Sequence, residues 1–502
     1  MDRARVRYAP SPTGKQHIGG MRTALFNYLY ARKSGGDMIL RIEDTDVSRS
    51  EVRYEKDLYT SLRWLGLEWD EGPNVGGDAG PYRQSERLEL YRHAVRRLLD
   101  AGKAYFCYCT PEELAAERER AAAEGRPPRY SGRCRDPQVR QALSREEGRS
   151  PVVRFWVPHG ETVTVRDLVR GKVRFSSDDI GDFIIYRSQD ESLEGGRPLY
   201  NLAAVVDDHA MKISHVLRGE EHLPNTPRQM LLYEAFGYEP PRFGHLSLIM
   251  TPDGTKMSKR FGDISIASYR ERGYLPEAVV AYLATLGWAP GKHPERFTLH
   301  ELAERFDLDQ LSDNPSIFDP DRLEWFNKRR LQRAETDYVG KRLKPRLQAA
   351  YGRWHRAAGT SHDPQTWYRL LVEATQEEAT TLQDMVSLSE FAFVECVSDF
   401  APEAQRALAR KEAPIVLKYC LETLTASDLI DHDAANDYLR RLREHFREEA
   451  DLGGRDVMFP LRAALTGSVS GPSLGLVMSL CGPSRCQKRL EKALSLGGAG
   501  PS

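Results

Sequence analysis

The segment that most constrains how this chain can fold is its first one. Residues 3 to 9 alternate towards Val6 and Tyr8, and Pro10 and Pro12 then stop any strand. SPTGKQHIGGMR follows at 11–22, and a helical pattern runs from about Met21 to Lys33 with Leu25, Phe26 and Leu29 on one face. Gly35 and Gly36 end it, and MILRI at 38–42 reads as a buried strand. Strand, glycine turn, helix and strand in so short a span form a βαβ unit, the start of a parallel nucleotide-binding sheet. The turn carries no G-x-G-x-x-G, which excludes a dinucleotide-dependent dehydrogenase, and no P-loop Gly-Lys-Ser. A second helix is expected from Ser48, with Glu51 three residues on as in a capping box. Leu58, Leu62 and Leu65 mark its inner face and Gly66 its end.

One such sheet does not account for the length. A chain of 502 residues exceeds one ordinary core, so about two to four domains are expected. Hydrophobic residues at 40% and charged residues at 29% suit a globular chain and exclude a mainly disordered one. No run approaches the roughly 18 apolar residues of a membrane span. MDRARVRYAP resembles neither a secretory signal nor a transit peptide, so a cytoplasmic location is expected. The seven cysteines are odd in number and unevenly spread, which argues against a disulfide framework. Net charge is −1, so a nucleic-acid partner would have to be read from local clusters of positive charge.

From about 85 to 195, helical pieces such as PEELAAERERAAAEG alternate with strand-like VVRFWV and VTVRDLV, as in an insertion between halves of a sheet. The sheet is expected to resume near LYNLAAVVDDH at 199–209 and again around HLSLIM at 245–250. Beyond about 330 the pattern is strongly helical, as in EATTLQDMVSLSEFAF and AANDYLRRLREHFREEA. There is no internal repeat, and only the tail GGAGPS reads as disordered.

Chemistry concentrates in two places. The glycine turn leads into a helix N-terminus, whose backbone N–H groups and dipole favour anions, phosphates above all. His17 adds a side-chain donor, and Gly19 and Gly20 allow a ligand to approach the backbone closely. TPDGTKMSKRFGD at 251–263 is a polar loop with Lys256, Lys259 and Arg260 around Ser258. A solvated basic loop is the plain alternative, but paired with the turn it makes a clamp for a polyphosphate and a leaving pyrophosphate.

HIGG (17–20) and KMSKR (256–260), with APSPTG (9–14) and RIEDTD (41–46), resemble a class I aminoacyl-tRNA synthetase, and more narrowly bacterial glutamyl-tRNA synthetase. GPYRQSER, VVDDH, VLRGEEHLPNTPRQ and PLRAALTG extend the likeness over nearly the whole chain, with motifs in order. The resemblance implies an α/β fold: a class I synthetase Rossmann-type parallel-sheet catalytic domain with an α+β insertion, followed by all-α anticodon-binding domains. The expected segments are 1–84 and 196–250 for the two catalytic halves and 85–195 for an acceptor-binding insertion. The KMSKR loop and a stem-contact helical domain follow at 251–330, and the anticodon-binding helices at 331–502.

It also implies that ATP, with Mg²⁺, activates L-glutamate as an adenylate, and that glutamate then passes to the terminal adenosine of tRNA-Glu. By that likeness His17, Gly19 and Gly20 hold the ATP phosphates, Lys256 and Lys259 stabilise the pentavalent α-phosphate and the pyrophosphate, and Ser258 and Glu221 belong to the nucleotide site. Arg7 and Arg218 would contact the glutamate carboxylates, since an arginine fork suits a bidentate pair. Glu43 would receive the α-ammonium, Tyr200 would line the pocket, and Ala9 and Ser11 fall on substrate-contacting positions. Taken singly, Arg218 or Glu43 would more often be an ordinary ion-pair partner, and the matching context reverses that for both.

In the insertion, CYC at 107–109 and YSGRC at 130–134 supply Cys107, Cys109 and Cys134, soft ligands suited to a structural tetrahedral Zn²⁺. By resemblance the fourth ligand is Tyr130, while Asp136 stands where some relatives carry histidine. Reduced cysteines packed near a hairpin are the alternative. In the helical half, Arg462 matches an anticodon-contacting arginine, with Gly471 and Pro472 in the following loop. Glu378 stands where some members that separate the Glu and Gln anticodons carry arginine, so acceptance of tRNA-Gln as well is expected. A monomer with no membrane association is expected. The alternatives are an enzyme acting mainly on tRNA-Gln, a tRNA-modifying relative, glutaminyl-tRNA synthetase, and an inactive tRNA-binding paralogue. The helical half speaks against the second and third, and the intact motifs against the last.

Overall fold

Strand β1 (Arg5–Tyr8) and strand β2 (Asp37–Leu40) run parallel in register, Val6 opposite Met38, joined by helix α1 (Ile18–Lys33). The last three residues of each strand are buried, as expected for a strand covered on both faces. Gly36 lets the chain turn back tightly here, because a Cβ there would sit 1.8 Å from the Ala4 carbonyl oxygen. Helix α1 begins three residues earlier than the periodicity of its apolar face suggests. His17, in extended conformation, is its N-cap: its Nδ1 accepts a hydrogen bond from the Gly20 N–H at 3.3 Å. The computed structural model describes residues 3–46, 49–125, 129–255, 257, 264–352 and 360–497. The tail expected to be disordered falls at its end, and residues 498–502 lie outside the described residues.

Helix α2 (Val52–Trp64) starts later than the capping-box reading placed it, and Ser48 lies outside the described residues. The Glu51 N–H donates to the Pro12 carbonyl and holds Glu51 extended, so the helix cannot form before Val52. Leu58 and Leu62 are buried inside as expected, and Gly66 follows in a positive-φ turn.

The insertion contributes strands β3 (Ala104–Cys107), β4 (Val152–Phe155), β5 (Thr162–Asp167), β6 (Gly171–Ser176), β7 (Phe183–Arg187) and β8 (Arg197–Pro198). Four of these form an antiparallel sheet in the order β3-β4-β7-β8, and β5 and β6 pair as a separate hairpin. PEELAAERERAAAEG is helical over Pro111–Ala123, started by a capping box between Thr110 and Glu113.

The expectation that the parallel sheet resumes at 199–209 is corrected: Tyr200–Ala210 is a helix. Leu202, Val205 and Val206 are buried at helical spacing, and the turn at Met211 and Lys212 delivers the chain to β9 (His215–Gly219). Strand β10 (Arg242–Leu246) follows, and the parallel sheet has the order β10-β9-β1-β2. β11 (Ile249–Met250) pairs in parallel with β12 (Ser316–Ile317).

The chain divides into two compact units, Met1–Tyr269 with Val279–Pro320, and Arg270–Ala278 with Asp321–Ser502. Of the segment expected as 251–330, Val279–Pro320 packs in the first unit and Arg270–Ala278 in the second. The second unit is helical around one apolar core that includes Leu275, Leu343, Trp367, Leu417 and Phe446. Two buried polar side chains tie that core to the backbone. The Trp367 indole donates to the Leu480 carbonyl at 3.0 Å, and Arg489 donates to the carbonyls of Leu465, Phe391 and Val394. Among the described residues no helix is long and apolar enough to cross a membrane.

Candidate active site

The order of the parallel sheet creates a crevice. From β1 the chain moves outward one way to β2, and from β9 it moves the other way to β10, so β1 and β9 flank the reversal. Ligands of open α/β sheets bind at the carboxyl ends of strands at such a point. A cavity of about 1170 Å³ lies there. Arg7, Ala9 and Ser11 enter it from β1 and the segment after it, His17, Gly19 and Gly20 from the start of α1. Glu43, Tyr200, Arg218 and Glu221 complete the described residues singled out for this site, and all of them line the same space. Met257, Ile264 and Ser265 also line it, whereas Lys256, Ser258 and Lys259 lie outside the described residues.

The two arginines differ in their surroundings. Arg7 Nε donates to Asp208 Oδ1 at 3.1 Å, and the same oxygen accepts from Arg41 at 2.6 Å. Arg41, fully buried, also donates to Glu43 Oε1 at 3.0 Å. Burial opposes ionisation of Asp208, yet Arg7 and Arg41 hold its carboxyl below the usual range. Asp207 accepts from Arg87 at 2.7 Å, Gln84 at 2.9 Å and Tyr91 at 2.8 Å, which locks the helix that carries both aspartates. Arg218, buried on β9, has no carboxylate partner among the described residues. It donates to Tyr200 Oη at 3.1 Å, Thr226 Oγ1 at 2.8 Å and His245 Nε2 at 3.2 Å. Burial lowers its pKa and raises that of Tyr200 and of Glu43. Arg218 is therefore a desolvated cation that the charges of Asp208 and Glu43 reach only without contact, which leaves room for an incoming anion to pair with it directly.

At the other end of the cavity, capping sets which ring nitrogen of His17 is the acceptor. Because Nδ1 accepts from the Gly20 backbone, the ring proton sits on Nε2. A Cβ at Gly20 would come within 2.9 Å of the Tyr8 hydroxyl, so a larger residue there would have to displace that buried ring. Lys15, Arg22, Arg53 and His222 line the cavity too and were not singled out from the sequence. Arg22 lies in the GGMR run itself; it donates to the Ser247 carbonyl at 2.5 Å and the Leu286 carbonyl at 3.3 Å, and burial lowers its pKa to about 10. Arg22 lies five residues after His17, a spacing that puts the two on different faces of α1, so no local pattern links them.

In the insertion, the sulfurs of Cys107, Cys109 and Cys134 lie within 4.8 Å of one another. The Tyr130 hydroxyl lies 3.5 Å from Cys107 Sγ and 3.6 Å from Cys109 Sγ. Asp136 caps the helix Pro137–Ser144 through its Oδ1, and Tyr130 is the side chain whose hydroxyl lies against the sulfurs. Hydrogen bonds from the other sulfurs pull the Cys107 thiol far down in pKa, and the Arg133 guanidinium donates to Cys109 Sγ at 3.1 Å. The cluster has the chemistry of a metal-binding donor set. All seven cysteines are free.

In the second unit, Arg462 donates to the Pro472 carbonyl at 2.5 Å, across a loop in which Gly471 has φ 123°. Glu378 is exposed in the turn after the helix Pro364–Gln376, and its charge acts on Arg462, whose pKa burial lowers. Arg440, Arg443 and Arg462 share a cleft of about 460 Å³.

Comparison with known proteins matches these features. A family described as tRNA synthetases class I (E and Q), catalytic domain, matches residues 3–325, and an anticodon binding domain family matches residues 338–494. Glutamate–tRNA ligase of Carboxydothermus hydrogenoformans is 46% identical over 488 residues, 97% of this chain and 98% of the relative. That of Desulforamulus reducens is 44% identical over 492 residues, 98% and 99% of the two chains. The crystal structure of a glutamate tRNA ligase from Elizabethkingia meningosepticum in complex with its amino acid has a TM-score of 0.84 at 32% identity, covering 98% of this chain and 99% of that one. The chain therefore belongs to the glutamyl-tRNA synthetases, the glutamate–tRNA ligase branch of the class I aminoacyl-tRNA synthetases.

Proposed function

We propose that the enzyme forms glutamyl-adenylate in the cavity between β1 and β9 and then passes glutamate to the terminal adenosine of tRNA-Glu. The observation that carries this reading is the buried guanidinium of Arg218, which no carboxylate contacts among the described residues, beside the paired Arg7 and the carboxylate of Glu43. In the first step an α-carboxylate oxygen of glutamate attacks the α-phosphorus of ATP, and the bond to pyrophosphate breaks. No protein nucleophile is needed, so the site works by alignment and by stabilising charge. Arg218 takes the side-chain carboxylate, Glu43 takes the α-ammonium, and Arg7, Ala9, Ser11 and Tyr200 shape the amino-acid end. His17 offers its Nε2 proton to the phosphates beside the N-terminus of α1, with Gly19, Gly20 and Glu221 at the nucleotide. Lys256 and Lys259, with Mg²⁺, would neutralise the pyrophosphate as it leaves, and Ser258 would hydrogen-bond the nucleotide.

The assay is glutamate-dependent ATP–pyrophosphate exchange with tRNA present, because members of this family generally need bound tRNA for activation. Arg218→Ala leaves a carboxylate unpaired in a dry site, a loss of about 3–5 kcal/mol, or roughly two to four powers of ten in kcat/KM. Exchange at the wild-type rate in that folded variant rules the assignment out.

We infer that Cys107, Cys109, Tyr130 and Cys134 hold Zn²⁺ as a structural ion. Their donor set fits it, and the ion would pin β3 to the 130–134 segment. Chelator-washed protein retaining less than about half an equivalent of zinc counts against this. We further propose that tRNA-Gln is accepted beside tRNA-Glu. Glu378, next to Arg462, cannot give a cationic contact to an anticodon base. The proposal places a monomeric enzyme in the cytoplasm, where charged tRNA is used.

A further inference from the structure

Arg218 makes a hydrogen bond that most arginines do not: its Nε–H points at a histidine nitrogen. Arg218 and His245 are directly opposed across β9 and β10, so their side chains leave the sheet on the same face. For Nε2 of His245 to accept from Arg218 at 3.2 Å, and to lie 3.0 Å from the Thr226 hydroxyl, the ring proton must sit on Nδ1. Nδ1 faces Asp167 Oδ2 at 2.5 Å, and both side chains are fully buried. The other carboxylate oxygen is equally committed. Asp167 Oδ1 accepts backbone N–H groups from Arg170 at 2.9 Å, Val169 at 3.0 Å and His245 at 3.2 Å.

We propose that Asp167 and His245 are positioning residues for glutamate recognition, holding the Arg218 fork at the angle that reads the substrate's side-chain carboxylate. This rests on the assignment of Arg218 to that carboxylate. Three of the five N–H groups of Arg218 are spent on His245, Tyr200 and Thr226, which leaves one on each terminal nitrogen for a bidentate pair. The imidazole sets the in-plane rotation of that fork, and the aspartate sets the tautomer of the imidazole. Asp167 ends strand β5 of the insertion hairpin, so the geometry of the amino-acid pocket is anchored in the insertion as well as in the sheet. Burial lowers the pKa of His245 against the pull of Asp167, the direction that an acceptor at Nε2 requires.

The decisive variant is Asp167→Asn. Three backbone N–H groups hold its remaining oxygen at the Oδ1 place, so the amide NH₂ must face Nδ1. His245 then protonates Nε2 instead, setting N–H against N–H at Arg218. The expected result is a rise in KM for glutamate of about ten-fold or more, with KM for ATP within about two-fold. Asp167→Glu keeps the carboxylate and is expected to disturb glutamate KM less. A purely structural role predicts the reverse order, because Asn is isosteric and Glu adds a buried methylene. Unchanged glutamate KM in Asp167→Asn, or equal rises for both substrates, overturns the proposal. Histidine-selective ¹⁵N spectra of wild-type protein give a reading that needs no folded Asp167 variant. The resonances lost in His245→Gln are expected to be those of an Nδ1–H tautomer, and an Nε2–H tautomer also overturns it. Absence of glutamate-dependent exchange in the wild type would instead remove the functional reading on which this rests.

Discussion

Arg7 and Arg218 carry the same guanidinium on neighbouring strands, yet among the described residues Arg7 touches a carboxylate, Asp208, and Arg218 touches none. That difference assigns their work. A paired arginine shapes and orients, while an unpaired buried one waits for a charge from outside. Glu43 is the complementary case, a carboxylate shared with Arg41 and pushed up in pKa by burial. Glu43→Gln keeps its shape and removes its charge. KM for glutamate is expected to rise about 10- to 100-fold in exchange assays, with KM for ATP nearly unchanged. An equal rise for ATP would place Glu43 elsewhere in the reaction. The motif residues were legible because the chemistry needs those residue types at those separations. Asp208 was visible in VVDDH only as part of a pattern, and His245 and Asp167 gave no local signal. Their partners are far off in sequence and are brought together by the sheet.

At the level of elements, the entry to α1 and the start of β9 decide how the site is held. The periodicity of Leu25, Phe26 and Leu29 identified the helix but not its beginning, because the cap is a histidine, a residue that propensity does not favour there. In 199–209 the apolar run was read as strand. Runs of that length do not separate a buried helix from a buried strand, and the buried positions follow a helical period. His215 opens β9, with its ring between the Tyr30 hydroxyl at 3.1 Å and Ser214 Oγ at 2.9 Å. Burial, helped by the charge of Arg242, lowers its pKa from 6.5 to about 4. The unfolded chain binds a proton there below about pH 6.5 and the folded protein only near pH 4, so stability falls as pH drops through that window. The thermal midpoint is expected to decline over this range, and less steeply in His215→Gln. An equal slope in both would deny His215 this role.

Over the whole molecule, the opening βαβ unit and the helical run beyond about 330 were legible from hydrophobic period, whereas the return of the parallel sheet was not, since 199–209 is a helix. Nor was the discontinuous course of the two units, since Arg270–Ala278 joins the helical unit through packing of Leu275 and Ala278 that no local pattern announces. Charging of purified tRNA-Glu and tRNA-Gln side by side belongs to this scale. Comparable charging of both is expected, and charging of tRNA-Glu alone would show that Glu378 does not set the choice. The central claim is that Arg218 reads the acid of the substrate, and its most direct test is calorimetric binding of non-hydrolysable glutamyl- and glutaminyl-adenylate analogues. Wild-type protein is expected to prefer the glutamyl analogue by about a hundred-fold or more, and Arg218→Ala to lose that preference while retaining weak binding of both. An undiminished preference in Arg218→Ala would contradict the account.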